Sequence, residues 1–198
     1  MDLDLLIEII GATIGLTYFC LEYKAHIALW YVGILMSLFY IYIFLSAHFY
    51  ADFAIYAYYL FANTYGLIVW LRKEKTTQVS DNQNKNRITH WKVRQIPILG
   101  VLFGLCWALI WFVLTHLPSS ASPIGDSFTT ALSIIAMWLM AQKQIEHWFL
   151  WFVVNVVSTI LYVTKGLYPT AILTLVYSLG SVLGYYHWKK KMLQQEDE

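Results

Sequence analysis

Trp148-Phe149-Leu150-Trp151-Phe152-Val153-Val154-Asn155 is the stretch whose reading decides the fold. It lies in an apolar run that continues to about Val163, so Asn155 carries an amide into a region where hydrocarbon or protein interior is expected. Such a group is costly unless it is paired. On a helix, the i, i+3, i+7 spacing puts Trp148, Trp151 and Asn155 on one stripe about two turns long. Two indoles and an amide so placed can grip a flat polar ring. The same residues also suit a helix whose amide bonds a neighbour and whose tryptophans pack or mark the membrane interface.

Composition sets the class. Hydrophobic residues make up 59% of the 198 positions and charged residues 13%, and the mean hydropathy is +0.56. No ordinary soluble domain of this size has that balance. Runs long enough to cross a bilayer core fall at about 4–21, 27–46, 51–71, 96–115, 126–142, 147–164 and 168–188. The expectation is an all-α polytopic membrane protein with seven transmembrane helices. The acidic opening Met1-Asp2-Leu3-Asp4, with no small-residue cleavage site behind it, reads as a retained first helix rather than a signal peptide.

Charge placement gives the orientation. Of the 13 Lys and Arg, 12 fall on one side of these spans and only Lys165 on the other. The basic side is therefore assigned to the cytoplasm, which puts the N-terminus outside and the C-terminus inside. A net charge of +1 excludes a nucleic-acid partner. Cys20 and Cys106 lie in apolar runs and read as packing residues. The six histidines are expected in loops or at helix ends, at no metal-ligand spacing, and no metal or cofactor is expected.

Sliding the sequence on itself gives a gap-free match at an offset of 118 residues. It pairs Ile27 with Ile145, Trp30 with Trp148, Tyr50 with Tyr168, Tyr59 with Tyr177, Gly66 with Gly184 and Trp70 with Trp188, and the acids Glu8 and Asp126 also coincide. Two triple-helix bundles joined by a linking helix follow, a 3+1+3 parallel repeat about an axis along the membrane normal. The expected organisation is a first bundle at 1–71, a cytoplasmic linker at 72–95 that is flexible over 76–86, a linking helix and outer loop at 96–125, a second bundle at 126–191 and a tail at 192–198. Paired bundles that rock about a site are a transporter architecture.

The repeat also shows where symmetry is broken. Gly33 and Ser37 stand against Trp151 and Asn155, and Tyr56 and Asn63 stand against Thr174 and Ser181. Large faces small at each position, as an asymmetric substrate requires, and Gly33 is expected to leave room. Tyr56, Tyr59 and Asn63 share one stripe, placed toward the interior.

At these residues the chain resembles the PnuC family of bacterial vitamin-precursor transporters. The resemblance is carried by Trp148-x-x-Trp151-x-x-x-Asn155 preceded by Glu146, by Asp126-Ser127 before Leu132-Ser133-Ile134, and by Phe49-Tyr50-Ala51 with Asn63-x-Tyr65-Gly66 before Trp70. It implies a fold related to the SWEET sugar transporters and a substrate held between the bundles in the bacterial inner membrane. It further implies facilitated diffusion with trapping by a cytoplasmic kinase. Tyr56 in place of a Gln usual in members that move nicotinamide riboside, together with Leu21-Glu22-Tyr23-Lys24-Ala25, looks more like the PnuT branch, which implies thiamine, with nicotinamide riboside as the alternative. Both are cationic heteroaromatic rings, which indole and phenol faces attract.

The candidate substrate contacts are thus Trp148, Trp151, Asn155, Tyr56, Asn63, Tyr59, Trp30, Ser37 and Gly33. Glu8, Asp126 and Glu146 are acidic contacts or structural caps. The partners expected are a small vitamin, the lipid bilayer, the kinase and a second copy of the chain in a homo-oligomer. The reading is not of an enzyme. An intramembrane enzyme or a non-transporting vitamin sensor is the alternative of a different class.

Overall fold

The computed structural model describes residues 3–46, 50–79, 87–116 and 122–196. Seven α-helices occur among the described residues: α1 (Leu3–Tyr23), α2 (Ala28–Ser46), α3 (Tyr50–Val79), α4 (Ile96–His116), α5 (Pro123–Ala141), α6 (His147–Thr164) and α7 (Tyr168–Glu196). A one-turn 3₁₀ helix, Val93–Gln95, precedes α4. The turn together with α4, α5 and α6 are each long and apolar enough to cross a membrane.

Helices α3 and α7 outrun the spans expected from hydropathy, which ended at 71 and 188. Apolarity marks where a bilayer ends; a helix ends where its backbone does. The stretch Arg72–Val79 contains neither Gly nor Pro, so nothing stops the helix when its surroundings become polar. The expected flexible linker loses its first residues to α3, and 80–86 lie outside the described residues.

The chain divides into two compact units, Met1–Asn86 and Arg87–Glu198. In the first, α2 packs along α3 and α1 against α2. In the second, α4 packs on α5, α5 on α6 and α6 on α7, so the linking helix belongs to the second unit. Its attachment is a cluster of Leu99, Ile135 and Leu139 flanked by Phe103, Trp138 and Leu150, with the Trp107 indole N–H donating to Ser127 Oγ at 3.1 Å. Leu99 is the one buried residue that α4 contributes.

The 118-residue repeat is visible in backbone conformation. Ala25 (φ 53°) and Lys143 (φ 58°) both adopt the left-handed region. In the α1–α2 turn His26 N–H donates to Leu21 O and Ala25 N–H to Glu22 O; in the α5–α6 turn Gln144 N–H donates to Leu139 O and Lys143 N–H to Met140 O. Each is a Schellman cap closed on a non-glycine residue. The α6–α7 turn has the same pattern with Gly166 (φ 74°) at the left-handed position.

The second unit carries a further feature. Residues 87–95 run as a strap across its basic end. Thr89 N–H donates to Lys143 O and Ile145 N–H to Thr89 O, both at 3.0 Å. Ile88 N–H donates to Gln195 Oε1 and Gln144 Nε2 to Gln95 Oε1.

Candidate substrate-binding residues

In the first unit, α2 and α3 assemble a cluster of tyrosines around one amide. Tyr40 stacks on Tyr56 with centroids 4.6 Å apart, and Tyr56 meets Tyr59 edge-on at 5.6 Å. The Asn63 amide donates from Nδ2 to Tyr59 O at 2.8 Å. Its Oδ1 is buried with no hydrogen-bond partner among the described residues. An acceptor so placed is available to a donor that the protein does not supply. Ser37 Oγ is committed to Gly33 O at 2.7 Å.

Gly33 does not leave the room expected of it. A Cβ built there meets Asn63 Oδ1 and Cγ directly. Gly33 lacks a side chain because the Asn63 amide fills its place. The second unit carries the exchange in reverse, with Trp151 and Ser181 at the equivalent positions, and Ser181 Oγ is turned back to Tyr177 O.

Trp30 and Trp148 are sealed in packed contacts. Both indoles are buried, at 0% and 1% exposure. Trp30 lies on Gly66 and meets Trp70 edge-on at 5.6 Å; Trp148 lies on Gly184 and meets Trp188 edge-on at 6.0 Å. The repeated glycines are thus seats for repeated indoles. His147 is buried beside Trp148, with ring centroids 4.8 Å from Trp148 and 4.6 Å from Trp188, and its Nδ1 lies 2.7 Å from Gln144 O. His147 stands at a helix end as expected, as the first residue of α6, and is buried there.

Trp151 and Asn155, on the same α6 stripe, are half-buried. The Trp151 indole N–H is shielded from solvent and has no acceptor among the described residues. One turn further on, Thr159 Oγ1 donates to Asn155 O and lies 2.8 Å from Thr174 Oγ1.

Two of the acids are structural. Asp126 pairs with Lys165 Nζ at 2.8 and 3.0 Å, tying the start of α5 to the end of α6. Glu146 accepts from Trp91 N–H at 2.9 Å and lies 2.7 Å from His90 Nδ1, fastening the strap to the start of α6. Glu8 is on α1, with its side chain outside the described residues. Sequence reasoning missed Glu22, a buried carboxylate in the last turn of α1, and Tyr40, whose partner lies on another helix.

Residues 5–190 match the family model described as nicotinamide mononucleotide transporter. The chain belongs to this transporter family. It is 24% identical over 211 residues to the nicotinamide riboside transporter PnuC of Escherichia coli (strain K12), covering 92% of this chain and 84% of that protein. A segment covering 38% of this chain and 31% of the nicotinamide riboside transporter PnuC of Neisseria mucosa is 33% identical over 81 residues. In fold, the chain is similar to the crystal structure of the vitamin B3 transporter PnuC, with a TM-score of 0.68 at 21% identity, over 93% of this chain and 80% of that one. The family is one of membrane transporters, not of enzymes, and its all-helical fold is the fold found here.

Proposed function

We propose that this transporter carries nicotinamide riboside across the bacterial cytoplasmic membrane by facilitated diffusion, with a cytoplasmic kinase removing the product. The observation that carries the reading is the match to the transporter family along nearly the whole chain, with relatives named for nicotinamide riboside. Thiamine, favoured by the sequence reading of Tyr56, gains no support from those relatives and ranks behind it.

The chemistry of the residues fits. Nicotinamide riboside is a pyridinium cation with a carboxamide and ribose hydroxyls. The tyrosine faces at positions 40, 56 and 59 and the Trp151 indole attract such a ring, each by about 0.5–2 kcal/mol. The uncommitted Asn63 Oδ1 and Trp151 N–H are an acceptor and a donor suited to the substrate's amide and hydroxyls. Asn155 adds a second amide. In this reading Trp30 and Trp148 shape the helices that carry these groups. The basic ends face the cytoplasm, as their Lys and Arg content requires.

Uptake of labelled nicotinamide riboside into proteoliposomes is the test. Asn155→Ala and Trp151→Ala are expected to reduce it at least about tenfold, the order expected when a buried polar partner or a ring contact is removed, while leaving folded, inserted protein. Normal transport by both variants refutes the assignment of these residues, and absence of wild-type uptake refutes the substrate.

A further inference from the structure

Two contacts fix how α6 and α7 run past each other. Trp148 lies on Gly184 at one end, and Thr159 Oγ1 lies 2.8 Å from Thr174 Oγ1 toward the other. The helices are therefore antiparallel along this seam, with Trp151 and Asn155 on the α6 stripe between the two contacts. Thr159 continues that stripe. It stands eight residues beyond Trp151, about 12 Å along a helix, the span of a nucleoside from its base to the far side of its sugar.

The hydroxyl pair is short of protons. Thr159 Oγ1 is 2.8 Å from Asn155 O as well as from Thr174 Oγ1, and Thr174 Oγ1 reaches Ala171 O at 3.0 Å and Thr170 O at 3.1 Å. Each hydroxyl has one proton to give and two lone pairs to accept with. With more acceptors in reach than protons, the pair keeps unfilled lone pairs, and the group that satisfies them is a donor. Both threonines are half-buried, not sealed as Trp148 is.

The repeat supplies a control. In the first unit Trp30 lies on Gly66 and Tyr40 stacks on Tyr56, the same register of α2 against α3. The positions equivalent to Thr159 and Thr174 there are Ile41 and Tyr56. A helix pair of this register is thus closed elsewhere in the same chain with rings, so hydroxyls are not needed to hold it.

We propose that the Thr159–Thr174 pair is the subsite that reads the sugar hydroxyls of the substrate, accepting a hydrogen bond from one of them while the ring lies at Trp151. The proposal rests on the transport reading above and deepens it. A site built to bond a hydroxyl rejects the analogue that lacks it, because the site's own polar groups are then left unpaired.

The test is calorimetric titration of the full-length protein in detergent with nicotinamide riboside and its 2′-deoxy, 3′-deoxy and 5′-deoxy forms, all of which keep the cationic ring. The wild type is expected to bind at least one deoxy form about tenfold or more weakly. Thr174→Val and, separately, Thr159→Val keep the shape and remove the hydroxyl; each should weaken nicotinamide riboside and bring that deoxy form within about twofold of it. Thr174→Ser, which keeps the hydroxyl, should retain the penalty. A pair that only joins the helices would weaken all four ligands alike in the valine variants and leave the penalty in place. Persistence of the penalty in both valine variants, or a wild type that binds all four ligands alike, overturns the proposal. If one valine variant does not fold, the other decides by the same criterion. Binding of none of the four to the wild type refutes the nicotinamide riboside reading itself and the subsite with it, whereas binding of all four alike refutes only the subsite.

Discussion

A single methyl group at Gly184 would strike the ring of Trp148, with the nearest indole carbons 2.5–2.6 Å from a Cβ built there. Real Cβ atoms do not come so close, and the indole is held from another side by Trp188. Gly184→Ala is therefore expected to cost about 1–3 kcal/mol by overpacking, read as a lower midpoint in thermal unfolding in detergent. Gly66→Ala should do the same at Trp30, which repeats the arrangement. An unchanged midpoint in both would mean that the indoles have room to turn aside. At this scale the sequence shows which residues recur but not what each one faces. Trp148 and Trp151 are three residues apart with the same chemistry; one is sealed against a glycine and the other is half-buried. Only the neighbouring helix distinguishes them, and the sequence does not say which helix that is.

The strap at 87–95 is where element boundaries were least legible. Its polar residues resemble a linker by composition, yet it is fixed by backbone hydrogen bonds to the α5–α6 turn and by Glu146, and backbone bonding leaves no mark in composition. Glu146→Ala removes the acceptor of Trp91 N–H and the partner of His90. The Thr89 and Trp91 amides are then expected to exchange with solvent at least about tenfold faster, since local opening sets that rate; hydrogen exchange read by mass spectrometry measures it. Unchanged protection would show that the ladder to Lys143 and Ile145 suffices alone. The turns were more legible. Lys165-Gly166 marks the α6–α7 break by a glycine that takes the left-handed conformation. Ala25 and Lys143 carry no such sign, because at these positions the cap geometry overrides residue preference.

For the whole molecule, seven apolar runs and the 118-residue offset were enough to anticipate the helix count, and matched caps and matched indole seats give that offset a physical form. The assignment of the linking helix was not legible, because an apolar helix shows no preference between the bundles on either side of it. Its packing on α5 decides the matter.

The strap's placement has a consequence for how the polypeptide can be made. Its hydrogen bonds to the rest of the chain go to residues from Leu139's turn onward, as far as Gln195. The bonds that fasten α4 to its unit likewise lie C-terminal to Arg87. A gene cut in two at the codons for 80–86 separates no partners of this set. Two fragments ending and beginning there, synthesised in one cell, are expected to restore at least about half of the uptake of the intact transporter, because such a nick falls in sequence of polar composition, where breaks are best tolerated. A cut between 96 and 122, which parts the strap from the turn it clasps, should restore much less. Equal recovery from both cuts would mean that the clasp contributes nothing to assembly.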